Sequence, residues 1–395
     1  MRNAASAPPA PRPAASPVTR CVTDDAGFRS LRDDWRRLFA RCDRATPFNS
    51  WEWLFSWWHA YGEKRALRIV LVERDGVVVG IAPLTLGREA TVLRTSCRVL
   101  RFVGDGSFDS DHLDFLVDPA DEELVMRHVE DWLRSNSEWD ALELRELSST
   151  SRSCAALREL ASRLDVMVRM EESTSAVLAL PRSFDEFLRA RQARFRTKLR
   201  SLIKRVDQGE LVFESEVGPG DLRRKLRSLF ALHQRRWNDS GRSGVFDSSA
   251  KRRFYGGFAP RFARNAWLRL YSLRRGDDYV AHQLCFGTAG TTYLLQEGFD
   301  ASNPAASFGQ TLRAAVVRHL IESGGATYDF LGGFSRHKEE WGSERGTMVH
   351  MTLARRTLNG RLWFNAPLWR ERLAAAAKRR LPKPLLGWLR RGRAR

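Results

Sequence analysis

The feature that most limits the fold of this chain is an order of predicted elements that occurs twice in its 395 residues. In the first half, an alternating apolar segment turns at Asp75 and Gly76, which predicts a β-hairpin. In the second half, a similar hairpin turns at Gly276 and Asp277, and a strand, a helix and another strand follow it. We therefore expect an α/β fold that is built from two copies of one unit.

Composition and charge predict where these units begin and end. Residues 1–19 are rich in Ala, Pro and Ser, which predicts a disordered segment. The first unit is expected over residues 20–180 and the second over residues 181–355, and residues 356–395 are expected to form a basic, amphipathic tail. From Arg355 onward, 13 Lys and Arg residues face one acid, so this end carries 12 of the 19 net positive charges. The rest of the chain is only mildly basic.

The sequence also disfavours several classes of protein. The N-terminal segment has no apolar core of the kind found in secretory signals, and no apolar run approaches the ~18 residues that a membrane span needs. The five Cys residues show neither a CxxC motif nor a Cys/His spacing typical of metal sites. We therefore expect reduced thiols, no metal site and a cytoplasmic protein.

A segment rich in tryptophan, "TPFNSWEWLFSWWHAYG", is predicted to form a helix of the first unit. Asn49, followed three residues later by Glu52, has the spacing of a capping box. The tryptophans lie on more than one face of such a helix. Packing in the core and between the units is the favoured interpretation, and an aromatic platform for a substrate is the alternative.

A basic helix is predicted between the two units, over residues 183–206. Its apolar residues have helical spacing, and eight Arg and Lys residues between positions 189 and 205 surround them. A solvated face is the ordinary interpretation of such charge. Contact with an anionic substrate or with acidic lipid is the other interpretation.

Four short segments occur in the same order as in a known superfamily: "PFNSWEWLFSWW", "VVVGIAPL", "LHQRRW" and "YDFLGGFSRHKEEWG". With this order, residues 28–354 resemble the GNAT acyltransferases, and above all the CelD-type acetyltransferases of cellulose and exopolysaccharide biosynthesis. The plan is also similar to that of the Fem-type aminoacyl transferases. The resemblance implies two tandem GNAT-like domains, each a mixed, mostly antiparallel sheet flanked by helices, with the working site in the C-terminal one. It implies acetyl-CoA as the donor and an amine or hydroxyl, often on a sugar, as the acceptor.

In the GNAT plan, a strand-to-helix loop binds the donor's pyrophosphate through backbone N–H groups at the start of the helix. The matching loop here is "DASNPAASFGQTL". It makes Phe308, Gly309, Gln310 and Thr311 the candidates for cofactor binding. The loop has one glycine and no basic residue, unlike the usual Arg/Gln-x-x-Gly-x-Gly/Ala motif. An ordinary strand-to-helix turn is therefore the alternative interpretation.

The strand before this loop, "YLLQEGF", is where the resemblance implies a β-bulge. By position, the bulge is expected near Leu295, Gln296 and Glu297, and Gly298 is consistent with it. A free N–H group at the bulge would donate a hydrogen bond to the thioester carbonyl, and the pantetheine arm would pair like an added strand. Leu295 and Gln296 are accordingly candidates for binding the donor.

Four side chains are candidates for the chemistry of the transfer. Glu297 is a candidate general base, with an edge-strand carboxylate in solvent as the alternative. His282 is a second candidate base, although a hydrogen-bonded core histidine is the favoured interpretation. Asp329 lies in an apolar strand and needs a partner, either Arg336, Lys338 or a substrate hydroxyl.

Lys338 is the fourth candidate, because the resemblance to Fem-type enzymes implies a lysine here that holds the reacting ester. An ammonium group at this position suits an oxyanion or a phosphate. The alternative is a salt bridge with Glu339 or Glu340 that caps the strand.

Three functions remain open at this point. The first is acetyl transfer from acetyl-CoA in polysaccharide or cell-envelope biosynthesis. The second is aminoacyl transfer from tRNA, which would use the basic helix to bind RNA. The third is a non-catalytic scaffold with a degenerate acyltransferase fold. The tail, which mixes Trp and Leu with Arg and Lys, is expected to contact an anionic membrane surface, with a solubilising or docked tail as the alternatives.

Overall fold

The computed structural model describes residues 16–218, 220–239, 245–288 and 290–380. Of the segment expected to be disordered, residues 1–15 lie outside this range, and a strand begins at Val18. The strands are β1 (Val18–Val22), β2 (Ala66–Arg74), β3 (Val77–Ala90), β4 (Ser96–Phe102), β5 (Leu116–Val117), β6 (Ala141–Ser148), β7 (Val166–Ala179), β8 (Val212–Glu214), β9 (Leu268–Arg275), β10 (Asp278–Thr288), β11 (Thr291–Phe299), β12 (Thr327–Gly332) and β13 (Glu344–Arg355). The helices are α1 (Asp25–Ser30), α2 (Arg32–Arg41), α3 (Trp51–Tyr61), α4 (Glu122–Ser135), α5 (Arg152–Arg163), α6 (Phe184–Arg189), α7 (Ala193–Asp207), α8 (Asp221–Asp239), α9 (Ser249–Arg264), α10 (Phe308–Glu322), α11 (Arg336–Glu340) and α12 (Leu358–Arg380).

A single mixed sheet runs through both halves of the chain. Its order is β1-β2-β3-β4-β6-β13-β7-β12-β11-β10-β9-β8, and β5 pairs with β3. The last strand of each half is exchanged: β13 pairs with β6 of the first half, and β7 pairs with β12 of the second half. β7 and β13 also pair with each other, from Glu344 opposite Val177 to Arg355 opposite Val166. These two strands join the halves into one sheet.

Both predicted hairpins are present. β2 turns into β3 at Asp75 and Gly76, and β9 turns into β10 at Gly276 and Asp277. Asp75 and Gly76 have φ angles of 52° and 75°, the left-handed values that a two-residue hairpin turn requires. The predicted fold class, an α/β structure with a mixed sheet flanked by helices, is confirmed. The structure adds that the sheets of the two units are continuous, and the boundary expected between residues 180 and 181 stays a prediction.

The tryptophan-rich helix α3 packs between the two halves. Trp53 is fully buried, and its ring lies 4.8 Å from that of Phe254 and 4.7 Å from that of Phe258, both on α9. Phe48, just before α3, contacts Phe286 of β10 at 5.2 Å. The interpretation of this segment as core and inter-unit packing is therefore confirmed.

The capping box expected at Asn49 is wrong. Ser50 caps α3, because its hydroxyl accepts a hydrogen bond from the Trp53 N–H group at 3.3 Å. The Asn49 side chain instead donates from Nδ2 to the carbonyl of His112 at 3.0 Å. Asn49 therefore fixes the loop that precedes β5.

The described part of the predicted tail is α12, and its first turns pack on the body. The indole N–H group of Trp363 donates to Glu89 at 2.8 Å, and Arg169 donates to the carbonyl of Phe364 at 2.9 Å. Residues 381–395 lie outside the described residues. Among the helices that the structure describes, none is long and apolar enough to cross a bilayer.

The strand exchange predicts that the two units do not fold separately. A chain of residues 20–180 would lack β13, and its β7 would lose both of its partner strands, which leaves long unpaired edges. We expect residues 20–180 and 181–355, expressed separately, to give no cooperative melting transition by circular dichroism. A chain of residues 16–380, which keeps every strand, is the control and should melt in one transition. Independent cooperative melting of both fragments would contradict this account.

Candidate active site

The strand β11 contains the expected bulge. Leu284 of β10 lies opposite Gln296, whereas the next residue, Cys285, lies opposite Leu294. Leu295 is thus left outside the ladder, in the two-against-one arrangement of a β-bulge. The equivalent ladder of the first half, β3 with β4, continues from Leu84 to Ala90 without a shift.

The strands β11 and β12 part soon after they meet. They pair in parallel over three positions only, which end at Tyr293 opposite Asp329. On its other edge, β12 pairs with β7 from Thr327 opposite Ala179 to Gly332 opposite Ser175, with a shift of register after Asp329. The first half has a similarly short parallel pair, which ends at Arg101 opposite Glu143. A wedge, the gap where two parallel strands separate, is thus common to both halves. The bulge beside this wedge distinguishes the second half.

The helix that follows each wedge differs in charge. α4 of the first half has Glu122 and Glu123 in its first turn, which would repel an anion. α10 of the second half has no acidic residue in its first turn, and no described side chain caps it. The N–H groups at the start of α10 are therefore better suited to an anionic ligand.

A cavity of about 360 Å³ lies at the start of α10, and we call it the α10 cavity. Phe308, Gly309 and Gln310 line it, as predicted for a donor site, together with Phe299. Thr311 does not line it, because the Thr311 hydroxyl donates back to the carbonyl of Ser307 at 3.1 Å. Packing also requires a glycine at position 309, since an added Cβ would lie 2.7 Å from the Phe299 ring.

A cation that the loop itself lacks reaches the α10 cavity from α7, and two arginines lie near the Phe308 ring without lining the cavity. Lys198 of α7 lines the cavity. The guanidinium groups of Arg205 on α7 and Arg275 on β9 lie 6.0 and 5.4 Å from the Phe308 ring. The basic helix therefore faces this cavity with part of its charge, which favours its interpretation as a contact for an anionic ligand.

Glu297 lines the α10 cavity and belongs to a polar network. Its Oε2 accepts hydrogen bonds from Arg313 at 2.8 Å and from Gln283 at 2.6 Å. The hydroxyl of Tyr328 donates to Gln283 at 3.0 Å, and Arg313 also contacts His337. The carboxylate is thus partly committed to an ion pair, and its role as a base stays a prediction.

His282 lies in the core of the second half. Its Nδ1 is 2.9 Å from the hydroxyl of Ser272, and burial lowers the pKa of His282 to about 3. The residue lines neither the α10 cavity nor the other cavities of the described residues. This geometry is that of a hydrogen-bonded core histidine.

Lys338 holds the end of β12. The three N–H donors of its ammonium group lie within hydrogen-bond distance of four backbone carbonyls, those of Phe330, Leu331, Gly332 and Gly333, at 3.1, 3.2, 2.8 and 2.7 Å. Burial lowers the pKa of Lys338. Carbonyl oxygens, not Glu339 or Glu340, thus fix this side chain, and its role toward a reacting ester stays a prediction.

Asp329 has a partner that the sequence did not suggest. Its Oδ2 lies 3.0 Å from Nε2 of His112, and its Oδ1 accepts from the Leu331 N–H group at 2.7 Å. Burial opposes protonation of His112, but the bond to Asp329 and the charges of Asp329, Asp111 and Glu146 outweigh it and raise the His112 pKa. This contact joins the first half of the chain to the end of β12.

His112 belongs to an irregular loop. Of the segment "DHLDFLVD" that contains it, only Leu116–Val117 pairs in the sheet. The loop "DGSFDSDHLDF" contains four Asp and one His, and three of these residues, Asp109, Asp111 and His112, contact the second half. That density of titratable residues beside two glycines was the available signal for a site.

A second cavity, of about 650 Å³, lies where the exchanged strands meet, and we call it the seam cavity. Leu294 and Leu295 line it from the bulged strand, and Phe330 lines it from β12. Asp111 and Glu146 line it from the first half. The seam cavity therefore brings the bulge of one half to the carboxyl groups of the other.

Backbone strain is concentrated around the seam cavity. Of eight described non-glycine residues with positive φ, three line the cavity: Phe108, Glu146 and Leu331. A fourth is His112. Residues held in this region cost about 1–3 kcal/mol each, and such strain clusters at functional sites.

Comparison with known proteins places the fold. Residues 193–339 match the family model described as acetyltransferase (GNAT) domain. No curated protein matches the sequence. The crystal structure of FemX is similar at a TM-score of 0.58 and 12% identity, over 80% of this chain and 95% of that one. A conserved protein of unknown function from Bacteroides thetaiotaomicron is similar at a TM-score of 0.55 and 12% identity, over 85% and 100%.

The family match contains both the bulged strand and the α10 cavity, and the structural similarity extends over the first half as well. Among the described residues, no group of three His, Cys, Asp or Glu side chains could hold a metal ion. The chain therefore has a GNAT-like fold, and residues 193–339 of its second half match an acetyltransferase (GNAT) domain.

Proposed function

We propose that this protein transfers an acetyl group from acetyl-CoA to an amine or hydroxyl acceptor. The observation that carries the proposal is the bulge of β11 beside the uncapped start of α10, in the half that matches the GNAT domain. The resemblance of its motifs to CelD-type enzymes further suggests a role in polysaccharide or cell-envelope biosynthesis.

Each part of the donor has a matching feature of the chain. The N–H groups of Phe308, Gly309 and Gln310 would hold the pyrophosphate, and Lys198, which lines the same cavity, would contribute a positive charge. Acetyl-CoA supplies an activated acetyl group as a thioester. The N–H group of Leu295 at the bulge would stabilise the negative charge that develops on the carbonyl oxygen.

A second candidate function uses aminoacyl-tRNA in place of acetyl-CoA. The similarity to FemX in fold and the basic helix α7 beside the α10 cavity favour it. The weak net charge outside the tail disfavours it, because RNA binding draws most of its affinity from phosphate contacts.

Isothermal titration with acetyl-CoA and CoA tests the donor. We expect a Kd within about 1 μM–1 mM, the ordinary range for substrates. Lys198→Ala should weaken binding about 5- to 10-fold, because it removes a charge that faces a phosphate. Lys204→Ala is the matched control, since Lys204 is exposed on the same helix and does not line the cavity.

Two results would decide against this donor. If neither acetyl-CoA nor CoA binds at millimolar concentration, the acetyltransferase reading fails. Salt-dependent binding of aminoacyl-tRNA would then support the second candidate function. If neither donor binds, the hypothesis of a non-catalytic scaffold is favoured.

The expected membrane contact can be tested with the tail. Beyond Ala366, ten Lys and Arg residues face a single acid, and the side chain of Leu368 is exposed. We expect the full chain to float with vesicles that contain anionic phosphatidylglycerol, and a chain ending at residue 366 to lose this binding. Equal flotation of both chains, or none, would count against a membrane-binding tail.

A further inference from the structure

We propose that the seam cavity binds the acceptor as a primary ammonium ion, and that Glu146, paired with Asp111, takes its proton. The inference rests on the proposed function, because it assigns the second substrate of the same reaction. It places the base in the first half of the chain and the donor in the second.

The position of the seam cavity suits an acceptor. Leu295, whose N–H group would face the thioester carbonyl, lines the cavity on one side. Glu146 lines it from β6, where the ladder with β13 shifts between Val349 and Met351. The φ angle of Glu146 is 59°, so the backbone itself is bent at the point where this carboxyl group reaches the cavity.

The charge of the seam cavity selects a cation. Four acids line it, Asp109, Asp111, Glu146 and Glu172, and none of its described lining residues is Lys or Arg. Asp109 is 2% exposed and pairs with Lys251 at 3.1 Å, yet its Oδ2 has no hydrogen-bond partner among the described residues. The α10 cavity, by contrast, is lined by two cations, Lys198 and Arg313, beside its two acids, Glu297 and Asp300. An anionic donor and a cationic acceptor would therefore be drawn to different cavities.

Asp111 and Glu146 form a carboxyl pair. They lie close enough for each to perturb the pKa of the other, and one proton shared between them would form a hydrogen bond. Burial and the neighbouring Asp111 raise the pKa of Glu146 to about 7. Asp111 also accepts from the Gly332 N–H group at 3.3 Å, so the pair touches the end of β12. An ammonium ion could donate to both carboxylates in place of the shared proton.

The proposed reaction is an acyl transfer that begins when the ammonium ion loses a proton. Ionised Glu146 takes one proton from the ammonium ion, and the nitrogen lone pair then forms a bond to the thioester carbon. The carbonyl electrons move to oxygen, where the N–H group at the bulge stabilises them. When they return, the C–S bond breaks, and the leaving thiolate takes the second proton from nitrogen. The products are an amide, the free thiol of CoA and one proton on Glu146, which passes to solvent.

Phe108 adds an aromatic wall to this site. Its side chain is 95% exposed, which is unusual for a phenylalanine, and it lies at the edge of the seam cavity with a φ angle of 58°. A ring in this place can contact an ammonium ion or the apolar face of its carrier.

Bisubstrate probes test the inference without knowledge of the natural acceptor. The probes are CoA thioethers whose short chain ends in an ammonium, a hydroxyl or a carboxylate group, and titration calorimetry measures their Kd. We expect the ammonium probe to bind about 10-fold more tightly than the hydroxyl probe, and the carboxylate probe to bind most weakly. Glu146→Gln and Asp111→Asn should reduce this preference to less than about 2-fold. Glu171→Gln, on β7 and outside the cavity lining, is the control.

The outcomes separate the two claims. If CoA binds but the ammonium probe has no advantage, or if both variants keep the advantage, the inference is overturned and the proposed function stands. If CoA and all probes fail to bind, the proposed function is contradicted, and the inference that rests on it falls with it. Melting curves of the variants verify that they fold.

The stability of Glu146→Gln gives an independent test. Because the folded state raises the pKa of this carboxyl from its ordinary 4.5 to about 7, the native chain loses stability as pH rises between these values. The Gln variant cannot ionise, so its Tm should exceed that of the native chain by about 1–3 °C at pH 8, and by less at pH 5. The charged or titratable groups around Glu146 are Asp105, Asp111, His112, Arg145, Glu172 and His350, together with Arg65, Glu89, Arg101 and Glu143, which line a smaller cavity that Glu146 also lines. A Tm difference that stays constant from pH 5 to pH 8 would remove Glu146 as the titrating group.

Discussion

The account depends on the early separation of β11 from β12. Two parallel strands that paired over their whole length would leave no room between them. The three residue pairs seen here are followed by a bulge on β11 and by a shift of register in the pairing of β12 with β7. Lys338 fixes this geometry, because its ammonium group binds the four carbonyls at the end of β12. The α10 cavity and the seam cavity are both lined by β11.

The exchange of β7 and β13 has a chemical consequence beyond joining the halves. It places the first half against the end of β12, where His112 pairs with Asp329 and Asp111 accepts from the Gly332 N–H group. The half with the bulge and the neutral helix start has features that suit the donor. The half with the acidic helix start and the unshifted ladder supplies carboxyl groups. The two halves thus have features that suit different tasks.

Local patterns explain what the sequence could predict. The two hairpins and the helix α10 follow from turn residues and apolar spacing within single segments, whereas the bulge near Leu295 is what the resemblance to the GNAT acyltransferases implies. The start of α3 was misjudged by one residue, because Asn49 is recruited by the His112 carbonyl, 63 positions away. The cluster of Asp111, Glu146 and Asp329 joins three segments of both halves. No pattern in one segment predicts such a contact, and only the strand exchange explains it.

Hydrogen–deuterium exchange with and without saturating acetyl-CoA tests the central claim most directly, because the two halves contain equivalent elements. The account predicts slower exchange in peptides that cover residues 293–299 and 308–312, and unchanged exchange in the equivalent residues of β4 and the start of α4. Protection confined to β4 and α4, or no protection anywhere in the chain, would contradict it.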